Sequence, residues 1–311
     1  MDGDIDYYPT GKFLYSSGND GLTSEFSMSD KWLVDVSAKR KHVCVKITVL
    51  EDGGGRIVPV NEAQVKFGAE IWNPWRSHVV YYDLILLVIF NGMTEESKIY
   101  VIHPDRNNEY EVYQGPNFVY HPMGIDGDIV YIAYEENSDD GGVLVIGGFN
   151  VRTCQTVFKH ITGDAGLYSE VKVPNPSLFR TYDGTLAAAI EGSEFYNEPV
   201  VSRIVSIPDL ETLLEVEGSV DRLIPSQDGV FYTSYQSGHY FATLNGGQYR
   251  INFLDDERNV DPGKTSIIAA SDSGDSIWIE HAELNSLYEE TYIVNYKRCD
   301  ARNQKSARCF A

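Results

Sequence analysis

The chain has 311 residues, 42% of them hydrophobic, which is enough to bury a substantial core within one large β domain. Its formal net charge is −21, and a surface of that sign repels phosphate backbones. Because no stripe of Lys and Arg opposes this field, the composition argues against a nucleic-acid partner.

The amino-terminal segment carries no predicted targeting signal. Residues 1–6 contain neither a basic region nor an apolar one, so we expect no signal peptide in this sequence. The longest apolar run, Val79 to Phe90, is interrupted by Asp83 and is shorter than the ~20 residues that span a bilayer. We therefore expect a soluble protein without membrane insertion, located in the cytoplasm or associated with a virion.

An acidic turn, usually with a glycine, precedes a short apolar strand six times along the chain. The copies are Asn19-Asp20-Gly21, Tyr82-Asp83-Leu84, Asp126-Gly127-Asp128, Tyr182-Asp183-Gly184, Gln227-Asp228-Gly229 and Asp272-Ser273-Gly274. Most successive copies lie roughly 40–50 residues apart, which is the period of four-stranded propeller blades. Gly127, Gly184 and Gly229 occupy equivalent turn positions where a Cβ atom is expected to clash, so we expect them to be structural.

Strand patterns fill the chain between these turns. In the third copy, the apolar run Ile129 to Tyr134 is followed by Val143 to Ile146 and then by Gln155 to Phe158. β-branched and aromatic residues dominate such runs, the chain has 21 Tyr and 13 Phe, and long helical periodicity is missing. Asn245-Gly246-Gly247, between two alternating runs, predicts a type I′ hairpin. The pattern predicts an all-β meander.

These repeated turns and strands resemble a six-bladed β-propeller of the TolB or NHL kind, over roughly residues 12–311. The resemblance implies an all-β fold of four-stranded antiparallel blades within a single domain, residues 1–311. The approximate predicted blades are 12–50, 79–119, 120–174, 175–221, 222–264 and 265–311.

The segment 51–78 is predicted to be an insertion, because the first interval exceeds one blade but cannot hold two. It begins with the acidic, glycine-rich run 51–55 and contains Trp72, Trp75 and Arg76. Trp and Arg are enriched at binding hot spots, so one interpretation of these residues is a contact patch. The favoured interpretation is that the two tryptophans cap the propeller core.

The resemblance also implies where a ligand would bind, since propeller ligands usually meet the protein at the mouth of the central channel. The repeat alignment places Tyr81, Tyr82, His121, Arg180, Tyr182, Ser226, Ser271 and Asp272 there. Of these, Tyr82, His121, Arg180 and Tyr182 are the predicted binding residues. The set lacks the ring of acidic and amide ligands with which gluconolactonase-like propellers hold calcium, so neither a metal nor a cofactor is predicted.

The four cysteines do not form a disulfide scaffold. Cys44 lies in an alternating apolar strand and is predicted to be a small core residue. Cys299 and Cys309 flank the last predicted hairpin, and the sequence leaves open whether they are bridged.

Two classes of function fit these observations. The favoured one is a non-catalytic interaction or structural module that contacts a protein or glycan partner, for example within a virion or tail. The alternative is a propeller enzyme that acts on a small or carbohydrate substrate at the channel mouth.

Overall fold

The computed structural model describes residues 3–15, 24–29, 31–39, 42–52, 57–68, 74–138, 141–161, 178–190, 201–217, 220–234, 238–254, 264–284 and 289–299. In these ranges the chain forms β-strands joined by turns, with one short 3-10 helix at Pro104–Arg106. The strands are β1 (Gly3–Tyr15), β2 (Ser24–Met28), β3 (Trp32–Lys39), β4 (His42–Asp52), β5 (Ile57–Gly68), β6 (Trp75–Tyr81), β7 (Leu84–Asn91), β8 (Glu96–His103), β9 (Glu109–Gln114), β10 (His121–Asp126), β11 (Ile129–Ser138), β12 (Gly141–Asn150), β13 (Gln155–Ile161), β14 (Leu178–Arg180), β15 (Leu186–Ile190), β16 (Val201–Ser206), β17 (Thr212–Glu217), β18 (Val220–Ser226), β19 (Gly229–Ser234), β20 (Gly238–Thr243), β21 (Gln248–Phe253), β22 (Thr265–Ala270), β23 (Ser276–Leu284) and β24 (Glu289–Arg298).

The strands form six four-stranded blades. Blades 1 to 4 are separate sheets made of β2–β5, β6–β9, β10–β13 and β14–β17, each in simple meander order. The remaining eight strands share one sheet in the order β18-β19-β20-β21-β1-β24-β23-β22. Its first half is blade 5, and its second half is blade 6 with β1 as the outer strand. The predicted six-bladed, all-β propeller fold is therefore confirmed.

The middle strands of the blades are apolar on both faces. In β11, Val130 and Ile132 point to one side and pack against blade 2, whereas Tyr131 and Ala133 point to the other side and pack against blade 4. Successive side chains of a strand face opposite sides of the sheet. The near-continuous apolar runs of the sequence therefore supply two buried faces per blade.

Every pair of neighbouring blades encloses its own hydrophobic cluster. Large buried residues of these clusters are Ile47 and Leu87 between blades 1 and 2, Tyr120 and Ile132 between blades 2 and 3, Met123 and Leu178 between blades 3 and 4, Leu223 and Tyr232 between blades 4 and 5, Phe231 and Tyr296 between blades 5 and 6, and Met28 and Trp278 between blades 6 and 1. The six clusters form a closed ring, and the first strand of each blade lies innermost.

Strand β1 closes the ring. It pairs antiparallel with β24, from Tyr7 opposite Arg298 to Tyr15 opposite Thr291, and so completes blade 6. Its first residues also pair parallel with β21 of blade 5. The fully buried Tyr7 donates a hydrogen bond from its hydroxyl to the Gly274 carbonyl oxygen at 2.5 Å, and its ring packs edge-on against Phe231.

The segment 51–78, predicted as an insertion, instead supplies strands. β5 pairs antiparallel with β4 along its length and is the outer strand of blade 1, and β6 is the innermost strand of blade 2. In the second half of β5 one face is apolar, with Phe67 buried and Val65 packed against the same cluster. The first predicted turn, Asn19-Asp20-Gly21, lies outside the described residues.

The predicted clash of a Cβ atom is wrong for Gly127 and Gly184, which have open space at that position, and is confirmed only for Gly229. Gly127 and Gly184 have φ angles of +58° and +87°, the left-handed region that side chains rarely adopt. Gly229 has ordinary backbone angles, but a Cβ atom there would lie 2.0 Å from the Ala242 carbonyl oxygen. The predicted hairpin at 245–247 is present between β20 and β21, although only Gly246 has a positive φ, so the turn is not type I′.

We predict that Gly229→Ala destabilises the fold by about 1–3 kcal/mol, because the new methyl group meets the backbone of β20, which cannot shift without loss of strand pairing. Chemical denaturation at neutral pH measures the change. The control is Gly68→Ala, since no atom lies within 4 Å of a Cβ atom at Gly68. Equal stability of the two variants would contradict the clash.

The closing strand gives a second prediction. Tyr7→Ala is expected to cost about 3–5 kcal/mol, the usual range for truncation of a buried aromatic residue, because the blade 5 and blade 6 interface loses a ring and a hydrogen bond. The neighbouring Tyr8→Ala, at a partly exposed position of the same strand, is expected to cost much less. A thermal melt of both variants tests this, and similar losses would show that β1 contributes no specific packing.

Candidate functional site

The turns that join the first and second strands of the blades gather at one end of the central channel. We call this end the turn face; its described residues are 29, 31, 82–83, 127–128, 181–185, 227–228 and 271–275. The turns touch one another around the ring. Lys31 of blade 1 pairs with Asp83 of blade 2, the Tyr182 amide donates to the Gln227 carbonyl oxygen at 3.0 Å, and the Gln227 amide donates to the Asp272 carbonyl oxygen at 2.9 Å.

Tyr82 spans the channel mouth from blade 2 to blade 4. Its hydroxyl oxygen accepts a hydrogen bond from the Arg180 backbone amide at 3.0 Å, and its ring stands edge-on to Tyr81 with centroids 4.6 Å apart. Its φ angle of +50° is uncommon for an aromatic residue. Burial raises the pKa of the Tyr82 phenol above its ordinary value, so the side chain remains a neutral phenol at physiological pH.

Arg180 ties blades 3 and 4 together beside Tyr82. One guanidinium nitrogen donates to an Asp126 carboxylate oxygen at 2.7 Å, and another donates to the Gly184 carbonyl oxygen at 3.1 Å. The hydrogen bond to Asp126 raises the pKa of Arg180 further above its ordinary value. Both side chains are about half exposed, so this ion pair mainly fixes the orientation of the arginine.

The channel mouth itself leaves little space. A cavity of about 150 Å³ lies beside Tyr81, Tyr82, Asp83 and Asp272, which is below the ~300–1,000 Å³ of typical ligand pockets. Tyr81 packs closely over Gly124, where a Cβ atom would lie 2.8 Å from the tyrosine ring. The tyrosines therefore largely fill the mouth.

A larger cleft opens off the axis of the channel, between the turns of blades 4 and 5. Its volume is about 690 Å³, within the range of ligand sites. It is lined by Asp4, Ile5, Thr181, Tyr182, Asp183, Thr185, Leu213, Gln227, Asp228, Phe241, Thr243, Leu244, Asn245, Tyr249 and Arg298. These residues come from turns of blades 4 and 5, from strands β17, β20 and β21 of the same blades, from β1 and from the end of β24.

The rim of this cleft carries an exposed aromatic ring and ordered carboxylates. Tyr182 is 84% exposed. Asp183 accepts hydrogen bonds from the Thr181 hydroxyl and from the Thr185 backbone amide, and these bonds hold the pKa of its carboxyl group below the ordinary value. Asp183 is therefore charged at physiological pH and fixed in place.

The predicted binding residues divide between the two ends of the channel. Tyr82, Tyr182, Ser271 and Asp272 lie on the turn face, and Arg180 and Ser226 are the last residues of the inner strands β14 and β18 next to it. His121 begins β10, and the six residues of that strand place it roughly 17 Å from the turn face. His121 is therefore not part of the same mouth as Tyr82, because its side chain sits where the inner strands start.

At that opposite end, His121 and Trp75 contact each other. Their rings stand edge-on with centroids 5.4 Å apart, and the His121 Nδ1 atom lies 2.8 Å from the Ser77 hydroxyl oxygen. Trp75 is half-buried and packs against the cluster between blades 2 and 3, and Arg76 is also half-buried. Trp72 and Cys309 lie outside the described residues. Cys44 is buried, as predicted.

Sequence reasoning missed most of the cleft. Asp4 belongs to β1, Asn245 to the last turn of blade 5 and Arg298 to the end of β24. Only the closed ring brings these distant segments beside Tyr182 and Asp228. Asn245 was predicted only as part of a hairpin turn, and no local motif marks Asp4 or Arg298.

Within the described residues, no group of three or more His, Cys, Asp or Glu side chains is arranged to hold a metal ion. In the same part of the chain, no helix has the length and apolar character needed to cross a bilayer.

Comparison with solved structures found chains that are similar to this one. The chain is similar to Raptor from Chaetomium thermophilum, with a TM-score of 0.52 and 9% identity, over 91% of this chain and 25% of that chain. It is also similar to the β-propeller domain of the Trilobed protease from Pyrococcus furiosus, with a TM-score of 0.47 and 11% identity, over 90% of this chain and 82% of that one. A third is TolB from Acinetobacter baumannii, with a TM-score of 0.45 and 13% identity, over 87% of this chain and 64% of that one.

At these identities the likeness concerns the fold alone. No protein-family model matches the sequence, and no curated protein matches it at a significant level.

The innermost strand of blade 2 yields a pH prediction. Burial, with a contribution from Arg76, lowers the pKa of His78 to about 3. The folded protein therefore holds this histidine neutral, whereas the unfolded chain binds a proton below about pH 6.5. The free energy of unfolding should fall as the pH drops from about 6.5 towards 3, and the His78 contribution to this fall is about 2 kcal/mol between pH 7 and pH 5.

Urea unfolding of the wild type and of His78→Leu at the two pH values measures this contribution. Between pH 7 and pH 5, the free energy of unfolding of the wild type should fall by about 2 kcal/mol more than that of His78→Leu. The control is His42→Gln, since His42 is exposed at the hairpin between β3 and β4. Parallel pH profiles of wild type and His78→Leu would contradict the prediction.

Proposed function

We propose that this propeller is a non-catalytic interaction module that binds a partner protein through its turn face. The observation that carries the proposal is the 690 Å³ cleft, which is open to solvent, bordered by the exposed Tyr182 and built on turns anchored in the blades. Binding residues are commonly placed on loops that a rigid scaffold holds in position. Tyrosine is also among the residues enriched at binding hot spots.

The titratable groups of the turn face favour binding over acid–base catalysis. The phenol pKa values of Tyr81 and Tyr82 are raised by burial, that of Asp183 is lowered by its hydrogen bonds, and that of Arg180 is raised by Asp126. Each of these groups is moved away from neutrality, whereas a general acid or base works best with a pKa near the operating pH. The small channel mouth also gives the enzyme alternative less support.

The finer sequence-based hypotheses stay predictions. These are a role in a virion or tail, a glycan ligand, and a cytoplasmic or virion-associated location. The contact patch of Trp72, Trp75 and Arg76 also stays a prediction, supported by the partly exposed Trp75. His121, which was predicted for the channel mouth, contacts Trp75 at this end.

The experiment isolates the chain with its natural partners and asks which face they occupy. The tagged protein is purified under native conditions from its source cells, and co-purifying chains are identified by mass spectrometry. We expect Tyr182→Ala to reduce the recovered partner at least about fivefold, as for a hot-spot truncation, while leaving the melting temperature unchanged because Tyr182 is 84% exposed.

Met93→Ala is the matched control. Met93 is equally exposed, at 84%, and lies in the turn between β7 and β8, which is at the opposite end of the blade from the turn face. If Met93→Ala loses the partner and Tyr182→Ala retains it, the interface lies at the opposite end of the blades from the turn face. Retention with both variants would overturn the proposed role of the cleft.

A further inference from the structure

We propose that the cleft between blades 4 and 5 binds a basic side chain, Arg or Lys, of an extended partner segment. The inference rests on the proposed function and specifies the chemistry of the partner. It is carried by the combination of a cleft large enough for a side chain, acidic residues from three separate elements in its lining, and aromatic residues in the same lining.

The charges of the cleft favour a cation. Asp4 comes from β1, Asp183 from the first turn of blade 4 and Asp228 from the first turn of blade 5, so three separate elements each contribute an acidic residue to the lining. Arg298 is the one basic side chain among the described lining residues. Asp4 and Asp228 are exposed, and Asp183 is held in its charged form by two hydrogen bonds.

The uncharged lining suits the rest of a Lys or Arg side chain. Leu213, Leu244 and Phe241 provide apolar surface, against which the methylene stem of such a side chain can pack while its charged head stays near water. Tyr182 and Tyr249 add ring faces that attract a cation within about 6 Å. The site therefore offers contacts to both parts of the side chain.

A peptide is a better match than other cationic or charged ligands. The net charge of −21 repels nucleic acid, and the described lining residues include no three-ligand metal cluster. A free polyamine could pair with the carboxylates. It would make fewer contacts than a peptide with the rest of the cleft, including the backbone groups of the turn at Asn245. A basic peptide also gains from attraction to the whole acidic surface during encounter.

The probe is a short synthetic peptide in which Arg alternates with Gly, labelled with a fluorophore, and its control is the same peptide with Gln in place of Arg. Fluorescence anisotropy with the full chain should show saturable binding of the Arg peptide and none of the Gln peptide. Spermidine is tested as a competitor. Complete displacement by spermidine at concentrations equal to those of the peptide would overturn the assignment to a peptide side chain.

Four variants locate the site. Asp4→Asn and Asp228→Asn should each weaken the Arg peptide about two- to fivefold, as for exposed ion pairs, and Tyr182→Ala should weaken it by a similar factor through loss of the cation–π contact. Arg298→Gln should strengthen it, because the competing positive charge is removed. Glu109→Gln, an exposed carboxylate on β9 of blade 2, is the matched control and should have no effect.

The dependence of peptide binding on ionic strength distinguishes a local site from general electrostatic attraction to the acidic surface. Raising the ionic strength from ~0.05 M to ~0.5 M should weaken binding overall, yet the difference between wild type and Tyr182→Ala should persist, since a ring contact is screened less than exposed charges are. Equal affinity of the wild type, the three weakening variants and Glu109→Gln would overturn the proposal by showing diffuse attraction only.

The outcomes also separate this inference from the proposed function. A natural partner that depends on Tyr182, together with an Arg peptide that does not bind, leaves the interaction module in place and overturns the basic-segment chemistry. A bound Arg peptide that requires Asp4 and Asp228 supports the inference even before a natural partner is known. Failure of both experiments overturns both.

Discussion

Each blade of this protein is apolar on both faces, and this constraint determines the rest of the architecture. A sheet whose middle strand alternates Val130 and Ile132 with Tyr131 and Ala133 needs a neighbour on each side. Stacking in a row would leave two exposed apolar faces at the ends, and exposed patches of that size cause association. A closed ring leaves none, and the six clusters between neighbouring blades show that the ring is complete.

Closure fixes the geometry of the turn face. Backbone hydrogen bonds join the turns of blades 4, 5 and 6 through Tyr182, Gln227 and Asp272, and the Arg180–Asp126 pair joins blades 3 and 4. Tyr82 adopts an unusual φ angle, and its hydroxyl reaches the Arg180 amide across the mouth. Backbone strain persists only where surrounding contacts compensate for it. The turn face is thus a preorganised surface, which lowers the entropic cost of binding.

The parts of the structure that sequence could predict are those with local signals. Turn glycines such as Gly127 and Gly184 need a left-handed backbone, and the apolar runs after them mark strands. The location of Tyr82, Arg180 and Tyr182 near the channel mouth could be predicted because all three lie at or next to the ends of inner strands. Non-local pairing leaves no such mark, since β1 joins blade 6 across nearly the whole chain.

The candidate site was likewise predictable only where local sequence signals mark it. The sequence indicated the channel mouth, but it could not show that Tyr81 and Tyr82 largely fill it, since side-chain volume in a closed ring depends on all six blades. His121 was assigned to the same end as Tyr82 because both are next to inner strands, yet strand direction separates the start of β10 from the end of β6.

The cleft connects ring closure with binding. Asp4 and Ile5 line it from the strand that closes the ring, and Arg298 lines it from the strand paired with that one. A ligand that touches β1 and the turns of blades 4 and 5 at once can bind only the closed form. By linkage, such a ligand stabilises the closed ring by an amount that grows with its concentration relative to its dissociation constant. Occupation of the cleft would therefore reinforce the strand pairings of β1 with β21 and β24 that close the ring.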